Sequence, residues 1–302
     1  MSYLDVGDGH QLYYQLQGEL TSAQPILFVH GGPGAGVCDE DKALFAGLNR
    51  AVIYVDQRGC GNSRFTQRLN ANTTEQLIND IEQLRCALGI RQWILVGGSW
   101  GSTLSLLYAL RYPDKVTRML LWGIFLCRQQ ELDWFYLDGA NHIYPDEYQR
   151  FMQQVNFATD PVAAYYQQLC SNDRQLQQAA AISWTRWEAV NSLLTADEAA
   201  ITRFTCSANS QAMALLESYY FSQQGFLAPD YILRHCDQLQ TIPLDIVHGR
   251  YDTICPLASA WQLASKLPQS RLHISPLAGH GANEQQNFTA LRRLLTQLDS
   301  TA

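Results

Sequence analysis

The sequence has little positive charge and no cluster of it: 21 lysines and arginines stand against 28 aspartates and glutamates in 302 residues, a formal net charge of −7. No basic run could follow a phosphate backbone or an anionic bilayer, which argues against nucleic acid and membranes as partners. No apolar run approaches the roughly 20 residues that a membrane span needs. We therefore expect a protein that folds in water.

Two further absences narrow the setting. The amino terminus, "MSYLDVGDGHQLYYQ", has no basic segment followed by an apolar stretch, so it does not resemble a secretion signal, and we expect a cytoplasmic protein. The eight cysteines are scattered and form no C-x-x-C pair. Because a chain of this size does not need covalent staples, we expect free thiols.

Short apolar runs are present, and they alternate with segments of helical periodicity. The runs that we interpret as buried strands are "PILFVH" from residue 25, "AVIYVD" from 51, "WILVGG" from 93, "VTRMLLWG" from 116, "LDIVHG" from 244 and "RLHIS" from 271. Predominantly apolar strands, separated by helices, indicate a mostly parallel sheet with helices on both faces. The sequence therefore predicts an α/β fold.

The pattern changes between residues 127 and 240. This stretch is rich in glutamine and aromatic residues and contains no convincing strand. We interpret it as a helical insertion between two strands of the sheet. The expected division is a core made of residues 1–126 and 241–302 and a helical domain of residues 127–240.

The segment "GGSWG" places Ser99 between glycines, directly after a predicted strand and directly before a predicted helix. It fits G-x-S-x-G in the context where this motif forms a sharp turn that exposes a nucleophilic serine. The alternative is a glycine-rich turn that only packs. A serine hydroxyl also needs a base that a carboxylate orients, so the motif requires partners.

Loops after the late strands offer these partners. Asp252 lies in "GRYDTICP" and His280 in "AGHGANE", so serine, acid and histidine follow one another in the order that hydrolases of this architecture use. All three lie where open parallel sheets place their sites, at the carboxyl ends of strands. We expect Ser99 to be the nucleophile, His280 the base and Asp252 the residue that orients it.

A negatively charged intermediate needs hydrogen-bond donors, and the loop "HGGPGAG" can supply one of them. Its glycines could instead bind phosphate, but neither G-x-x-x-x-G-K-[ST] nor G-x-G-x-x-G is present. We assign the backbone N–H groups of Gly32 and Trp100 to the oxyanion hole.

Five segments together resemble the prolyl aminopeptidases, also called proline iminopeptidases, of the α/β-hydrolase fold. They are "HGGPGAG", "DQRGCGNS", "GGSWGSTLSLLYA", "GRYDTICP" and "AGHGANE", which span about residues 25 to 285. The resemblance implies removal of an N-terminal proline from peptides by a serine mechanism without a metal or other cofactor. It also implies that the helical insertion covers the site as a cap.

Family members bind the free amino terminus with carboxylates of the cap. By resemblance these are Glu188, in "SWTRWEAV", and Glu217, in "ALLESYYF". Each acid falls on the apolar side of its helix, where it is costly unless paired, and a substrate ammonium would supply the missing charge. The resemblance further suggests Cys255 beside the proline pocket and Phe135 as a wall of it.

Two rival functions remain. An esterase or amidase of small substrates would use the same three catalytic residues without needing inward glutamates, and a non-catalytic binding protein could keep the fold. Dehalogenase and epoxide hydrolase chemistry is disfavoured because those relatives carry a carboxylate where this chain has Ser99. The oligomeric state is open, with a monomer slightly favoured.

Overall fold

The computed structural model describes residues 2–20, 24–195, 197–207 and 209–299. Within them, nine strands form one sheet. The strands are β1 (Ser2–Gly7), β2 (His10–Gln17), β3 (Ile26–Val29), β4 (Val52–Val55), β5 (Arg64–Phe65), β6 (Trp93–Ser99), β7 (Val116–Ile124), β8 (Leu244–Gly249) and β9 (Arg271–Ser275). All six apolar runs form strands, and the structure adds β1, β2 and β5.

The sheet is parallel from β4 to β9 and antiparallel at its amino-terminal edge. Its order is β1-β2-β4-β3-β6-β7-β8-β9, with β5 paired to β2. The pairs β1–β2, β2–β4 and β2–β5 are antiparallel. The remaining neighbours are parallel. The mostly parallel sheet predicted from the sequence is therefore confirmed.

Helices connect the strands. In chain order they are α1 (Asp39–Ala43), α2 (Thr74–Ala87), α3 (Trp100–Arg111), α4 (Gln129–Tyr136), α5 (Pro145–Gln154), α6 (Pro161–Leu169), α7 (Arg174–Ser192), α8 (Glu198–Thr205), α9 (Ser210–Ser222), α10 (Tyr231–His235), α11 (Leu257–Lys266) and α12 (Gln285–Asp299). In the described residues between β7 and β8, helices occur and no strand does. None of the described helices is long and apolar enough to cross a bilayer.

The two faces of the sheet carry separate apolar cores. On β3, Leu27 and Val29 belong to the core that α2, α3 and α11 cover, whereas Ile26 and Phe28 belong to the core that α12 covers. This alternation follows from the two-residue period of a strand. Both faces are buried, which explains why β3 and β4 are apolar throughout and confirms helices on both faces. The eight cysteines are free thiols, as predicted.

Candidate active site

Parallel strands bring the predicted site residues to one edge of the sheet. The loop after β3 carries Gly32, Ser99 ends β6, and the loops after β8 and β9 carry Asp252 and His280. Because β3, β6, β7, β8 and β9 are consecutive parallel neighbours, their carboxyl ends share this edge.

Ser99 lies in a strained turn between β6 and α3, with φ 56° and ψ −127°. A Cβ atom on Gly97 would lie 2.7 Å from the carbonyl oxygen of Val29, and one on Gly101 would overlap the same oxygen. The turn thus packs against the end of β3, and only glycine fits on either side of the serine. The spacing of the motif follows from this contact.

Asp252 and His280 form a direct pair. Oδ2 of Asp252 is 2.8 Å from Nδ1 of His280. Oδ1 of Asp252 accepts hydrogen bonds from the backbone N–H groups of Ile254, at 3.1 Å, and Cys255, at 2.8 Å. Burial opposes ionisation of Asp252, but His280 and these donors lower its pKa overall. Burial alone would lower the pKa of His280, yet the carboxylate of Asp252 raises it.

The third member, Ser99, lies at the same edge without a hydrogen bond to His280 among the described residues. Its hydroxyl lies beside the thiol of Cys255 instead. The imidazole of His280 packs on Gly123, where a Cβ atom would lie 2.7 Å from Cε1 of the ring. Catalytic hydrogen bonds are often long without substrate, and a rotamer change of a serine hydroxyl moves its oxygen by a few ångströms.

The two expected oxyanion donors flank Ser99. Gly32 has a φ of +105°, and its backbone N–H makes no hydrogen bond within the described part of the chain. Trp100 is the first residue of α3, so its N–H has no acceptor within the helix. A Cβ atom on Gly31 would lie 3.5 Å from Cβ of Ser99, so the glycine loop and the serine are in contact.

The loop after β4, "DQRGCGNS", supports the glycine loop. The indole N–H of Trp100 donates to Oε1 of Gln57 at 3.1 Å. Gln57 in turn donates its side-chain amide to the carbonyl oxygen of His30 at 2.8 Å and its backbone N–H to Nε2 of His30 at 3.0 Å. This buried network explains why the segment accompanies the serine motif, and the sequence analysis had not assigned it a role.

A cavity opens beside Ser99 and encloses about 330 Å³, including its mouth. Only about 20 Å³ of it can be reached by the centre of a water-sized sphere, so the cavity is narrow and suits a small group better than a long chain. The lining residues are Gly32, Ser99, Phe125, Glu131, Leu132, Phe135, Tyr136, Glu188, Glu217, Phe221, Ile254 and Cys255. Six of them are residues that the sequence analysis named.

Glu188 and Glu217 bring two carboxylates into this apolar cavity. Both side chains are buried. Burial raises the pKa of Glu188 to about 7, against the opposing effects of Tyr136 and His280. Burial, and then the charge of Glu188, raise the pKa of Glu217 well above its ordinary value. No arginine or lysine pairs with either acid in the described residues, so the cavity is complementary to a cation.

Two stacked aromatic residues hold the carboxylates. The hydroxyl of Tyr136 donates to Oε1 of Glu188 at 2.9 Å, and the indole N–H of Trp184 donates to Oε2 of Glu217 at 2.6 Å. Sequence reasoning had not identified Tyr136 as a site residue. It immediately follows Phe135 on α4, and nothing in its spacing indicates a contact with α7.

The remaining walls are apolar. The ring of Phe135 stacks on Trp187 with centroids 5.5 Å apart, so one side belongs to the aromatic core and another lines the cavity. Phe125 and Phe221 meet edge to face at 5.7 Å and form another part of the lining. Burial raises the pKa of the Cys255 thiol, so the thiol is neutral at ordinary pH.

Glu131 also reaches the cavity, but it is a satisfied group. Its carboxylate accepts from the backbone N–H groups of Leu126, at 3.2 Å, and Arg128, at 2.9 Å, and from the hydroxyl of Ser259. The guanidinium of Arg128 also forms an ion pair with it at 3.4 Å. Glu131 therefore has a cationic partner, in contrast to the two glutamates of α7 and α9. No group of three or more potential metal ligands is present in the described ranges.

The fold and the serine turn define the class of protein: residues 24–286 match the family described as alpha/beta hydrolase fold. Solved structures agree on the fold, among them an esterase from Exiguobacterium antarcticum, at 18% identity, a TM-score of 0.71 and 98% coverage of both chains. A putative aryl esterase from Burkholderia cenocepacia has a TM-score of 0.70 at 15% identity and covers 100% of this chain, with 99% of its own length matched.

Curated relatives are much more similar in sequence. A probable proline iminopeptidase of Leptolyngbya boryana is 40% identical over 291 residues, 95% of this chain and 90% of the relative. The proline iminopeptidase of Arabidopsis thaliana is 41% identical over 285 residues, 93% of this chain and 75% of the relative. The chain belongs to the proline iminopeptidase family of α/β hydrolases, and it is a hydrolase of this kind.

Proposed function

We propose that this chain releases N-terminal proline from peptides through an acyl-enzyme on Ser99. The observation that carries the proposal is the cavity in which Ser99 and two buried, cation-free glutamates lie together. A free amino terminus has a reference pKa near 8 and is mostly charged at neutral pH, so it would complete the charge of this cavity. The family membership supports the same substrate class.

In the proposed reaction, Nε2 of His280 removes the proton of Ser99 while Oγ attacks the carbonyl carbon of proline. Nδ1 of His280 is already bonded to Asp252, which fixes the tautomer that leaves Nε2 free to accept. The oxyanion receives the N–H groups of Gly32 and Trp100. His280 then returns the proton to the leaving amine, and a water molecule hydrolyses the ester with His280 again as the base.

Recognition is assigned to the helical segment 127–240, acting as a cap over the core of residues 1–126 and 241–302. Glu188 and Glu217 would bind the ammonium of the proline ring, while Phe135 and Cys255 would contact the ring carbons. An apolar wall suits a saturated ring, and the small cavity limits the residue that enters. The remainder of the peptide is expected to extend through the open mouth.

Three substrates test this assignment: a proline anilide, its N-acetylated form and a nitrophenyl ester without an amine. We expect efficient turnover of the free-amine anilide alone. Equal cleavage of the acetylated anilide would exclude the ammonium role of the glutamates and favour a general esterase or amidase. Ser99→Ala should abolish turnover, whereas Ser105→Ala, on the same helix with its hydroxyl bonded to Gly101, should retain it.

A further inference from the structure

His248 is a buried histidine that the proposed reaction does not use. It lies near the end of β8, and its side chain is fully inaccessible to solvent. Oδ2 of Asp252 is 3.4 Å from Nε2 of His248 and 2.8 Å from Nδ1 of His280. One carboxylate oxygen is therefore approached by two imidazoles. Of these, only His280 also interacts electrostatically with Glu188.

The hydrogen bonds of His248 fix its protonation. The backbone N–H of Ile124 donates to Nδ1 at 3.2 Å, so Nδ1 must keep its lone pair. Nε2 therefore carries the hydrogen and donates it to the carbonyl oxygen of Cys255 at 2.8 Å. A second proton on the ring would break the bond from Ile124, and it would place two cations at one carboxylate.

These contacts control the loop that carries the acid. Residues 252–255 form a tight turn in which Oδ1 of Asp252 accepts the N–H groups of Ile254 and Cys255. His248 attaches the far end of this turn, at the Cys255 carbonyl, to β7 at Ile124. A turn held at this end cannot rotate without carrying the carboxylate away from His280.

We propose that His248 is a positioning residue: from its place on β8, the neutral Nε2–H imidazole holds the 252–255 turn through the Cys255 carbonyl and keeps Oδ2 of Asp252 aimed at His280. The proposal rests on the catalytic roles that the proposed function gives to Ser99, His280 and Asp252. The charged or titratable groups that influence His248 are Asp252 and His280. Those that influence His280 are Asp252 and Glu188.

Two amide substitutions separate the functions of the ring. His248→Asn places an oxygen near Nδ1 and keeps the acceptor for Ile124, but it is too short to donate to Cys255. His248→Gln reaches the position of Nε2 and keeps that donor. His273→Asn is the matched control, because His273 contacts a different acid, Asp245, at 3.2 Å on the neighbouring strand.

The first readout is the NMR titration of the His280 ring without substrate, assigned by comparison with His280→Ala. We expect His248→Asn to lower the pKa of His280 toward its ordinary value of about 6.5, because a mobile carboxylate stabilises the imidazolium less. His248→Gln and His273→Asn should titrate as the wild type does. The kcat of His248→Asn for proline anilide should fall at least about tenfold, part of the factor that acid–base catalysis supplies.

A wild-type His280 titration in His248→Asn, or an equal shift in His248→Gln, would overturn the proposal. A further measurement needs no variant: imidazole ¹⁵N shifts of the wild-type protein should show His248 as the Nε2–H tautomer between pH 5 and 8, and a cationic His248 at pH 6 would also overturn it. These titrations do not depend on turnover, so absence of proline release in the wild type would count against the proposed function alone.

Discussion

The ring of Tyr136 lies against that of Trp184, with centroids 4.8 Å apart and planes inclined by 29°, and each ring donates a hydrogen bond to a different buried glutamate. The pair connects α4 with α7 and fixes both carboxylates from neutral donors. Neutral donors satisfy the lone pairs without cancelling the charge. The carboxylates therefore retain their attraction for a cation that enters the cavity.

Glu217→Gln should remove the negative charge that Glu217 carries beside a bound ammonium while keeping the acceptor for Trp184. A hydrogen bond to a charged group contributes about 1.5–3 kcal/mol, and 1.4 kcal/mol corresponds to a factor of ten. We expect kcat/KM for proline anilide to fall at least about tenfold, with little change for a neutral ester. Steady-state kinetics on both substrates measure the difference.

The control for this substitution is Glu198→Gln. Glu198 is a mostly exposed acid of α8 that pairs with Arg186 and does not line the cavity. Glu198→Gln should leave kcat/KM unchanged for both the anilide and the ester. Equal losses on the anilide and the ester in Glu217→Gln would contradict a role in binding the amine.

Tyr136→Phe should shift the pH dependence of binding. Burial raises the pKa of Glu188 to about 7, and the hydroxyl of Tyr136 counteracts that rise. Without the hydroxyl the pKa rises further, so the carboxylate is protonated, and loses its attraction for ammonium, at a higher pH. We expect the acidic limb of 1/KM for proline anilide to move to higher pH, measured between pH 5 and 9.

Tyr148→Phe provides the comparison, because its hydroxyl donates to the carbonyl oxygen of Tyr136 at 2.9 Å and to no glutamate. Its acidic limb should coincide with that of the wild type. A limb that stays in place in Tyr136→Phe would show that another group controls it.

The sequence predicted the residues at this edge of the sheet better than it predicted the cavity. The serine turn was recognisable because Gly97 and Gly101 must both be glycine for the turn to pack against Val29. A steric requirement of this kind fixes residue types at a fixed spacing, which is visible in the sequence as a motif. The walls contributed by Phe125, Tyr136 and Phe221 come from the loop after β7, from α4 and from α9. Only tertiary packing brings them together, and no spacing in the sequence records that packing.

The hairpin of β1 and β2 was missed for a different reason. Its strands are half exposed, so no apolar run marks them. A turn signal was nevertheless present: Asp8 and Gly9 connect the strands and both have positive φ, 57° and 80°, as Asp-Gly hairpins do. The Asp-Gly dipeptide therefore indicates a hairpin, which accounts for two antiparallel strands at the edge of the sheet.

Glu188→Gln should stabilise the protein at alkaline pH while impairing the reaction. An acid whose pKa is higher in the folded state destabilises the fold once the pH exceeds the unfolded-state value, and the penalty grows until the pH passes the folded-state value of about 7. Gln removes the penalty and still accepts from Tyr136. We expect Tm to rise by at least about 2 °C at pH 8 and by less at pH 5.

Thermal unfolding at the two pH values checks this expectation, with Glu198→Gln again as the control. Glu198 is exposed and its pKa is lowered by Arg186, so its substitution should not stabilise the fold at pH 8. A fall in Tm at pH 8 in Glu188→Gln would mean that the carboxylate has a compensating partner in the free protein.

Gly101→Ala should disrupt the serine turn itself. The new Cβ atom would overlap the carbonyl oxygen of Val29, and because both groups belong to the backbone, neither can move aside without shifting α3 against β3. Overpacking of this kind costs about 1–3 kcal/mol, and displacement of Ser99 should lower kcat/KM about a hundredfold or more. Gly47→Ala separates the causes: Gly47 has a φ of +74° and open space around its Cβ position, so it incurs backbone strain without a clash. Gly47→Ala should therefore lower the stability of the protein and leave its kcat/KM unchanged. An unchanged kcat/KM in Gly101→Ala would contradict the close packing of the serine turn against β3.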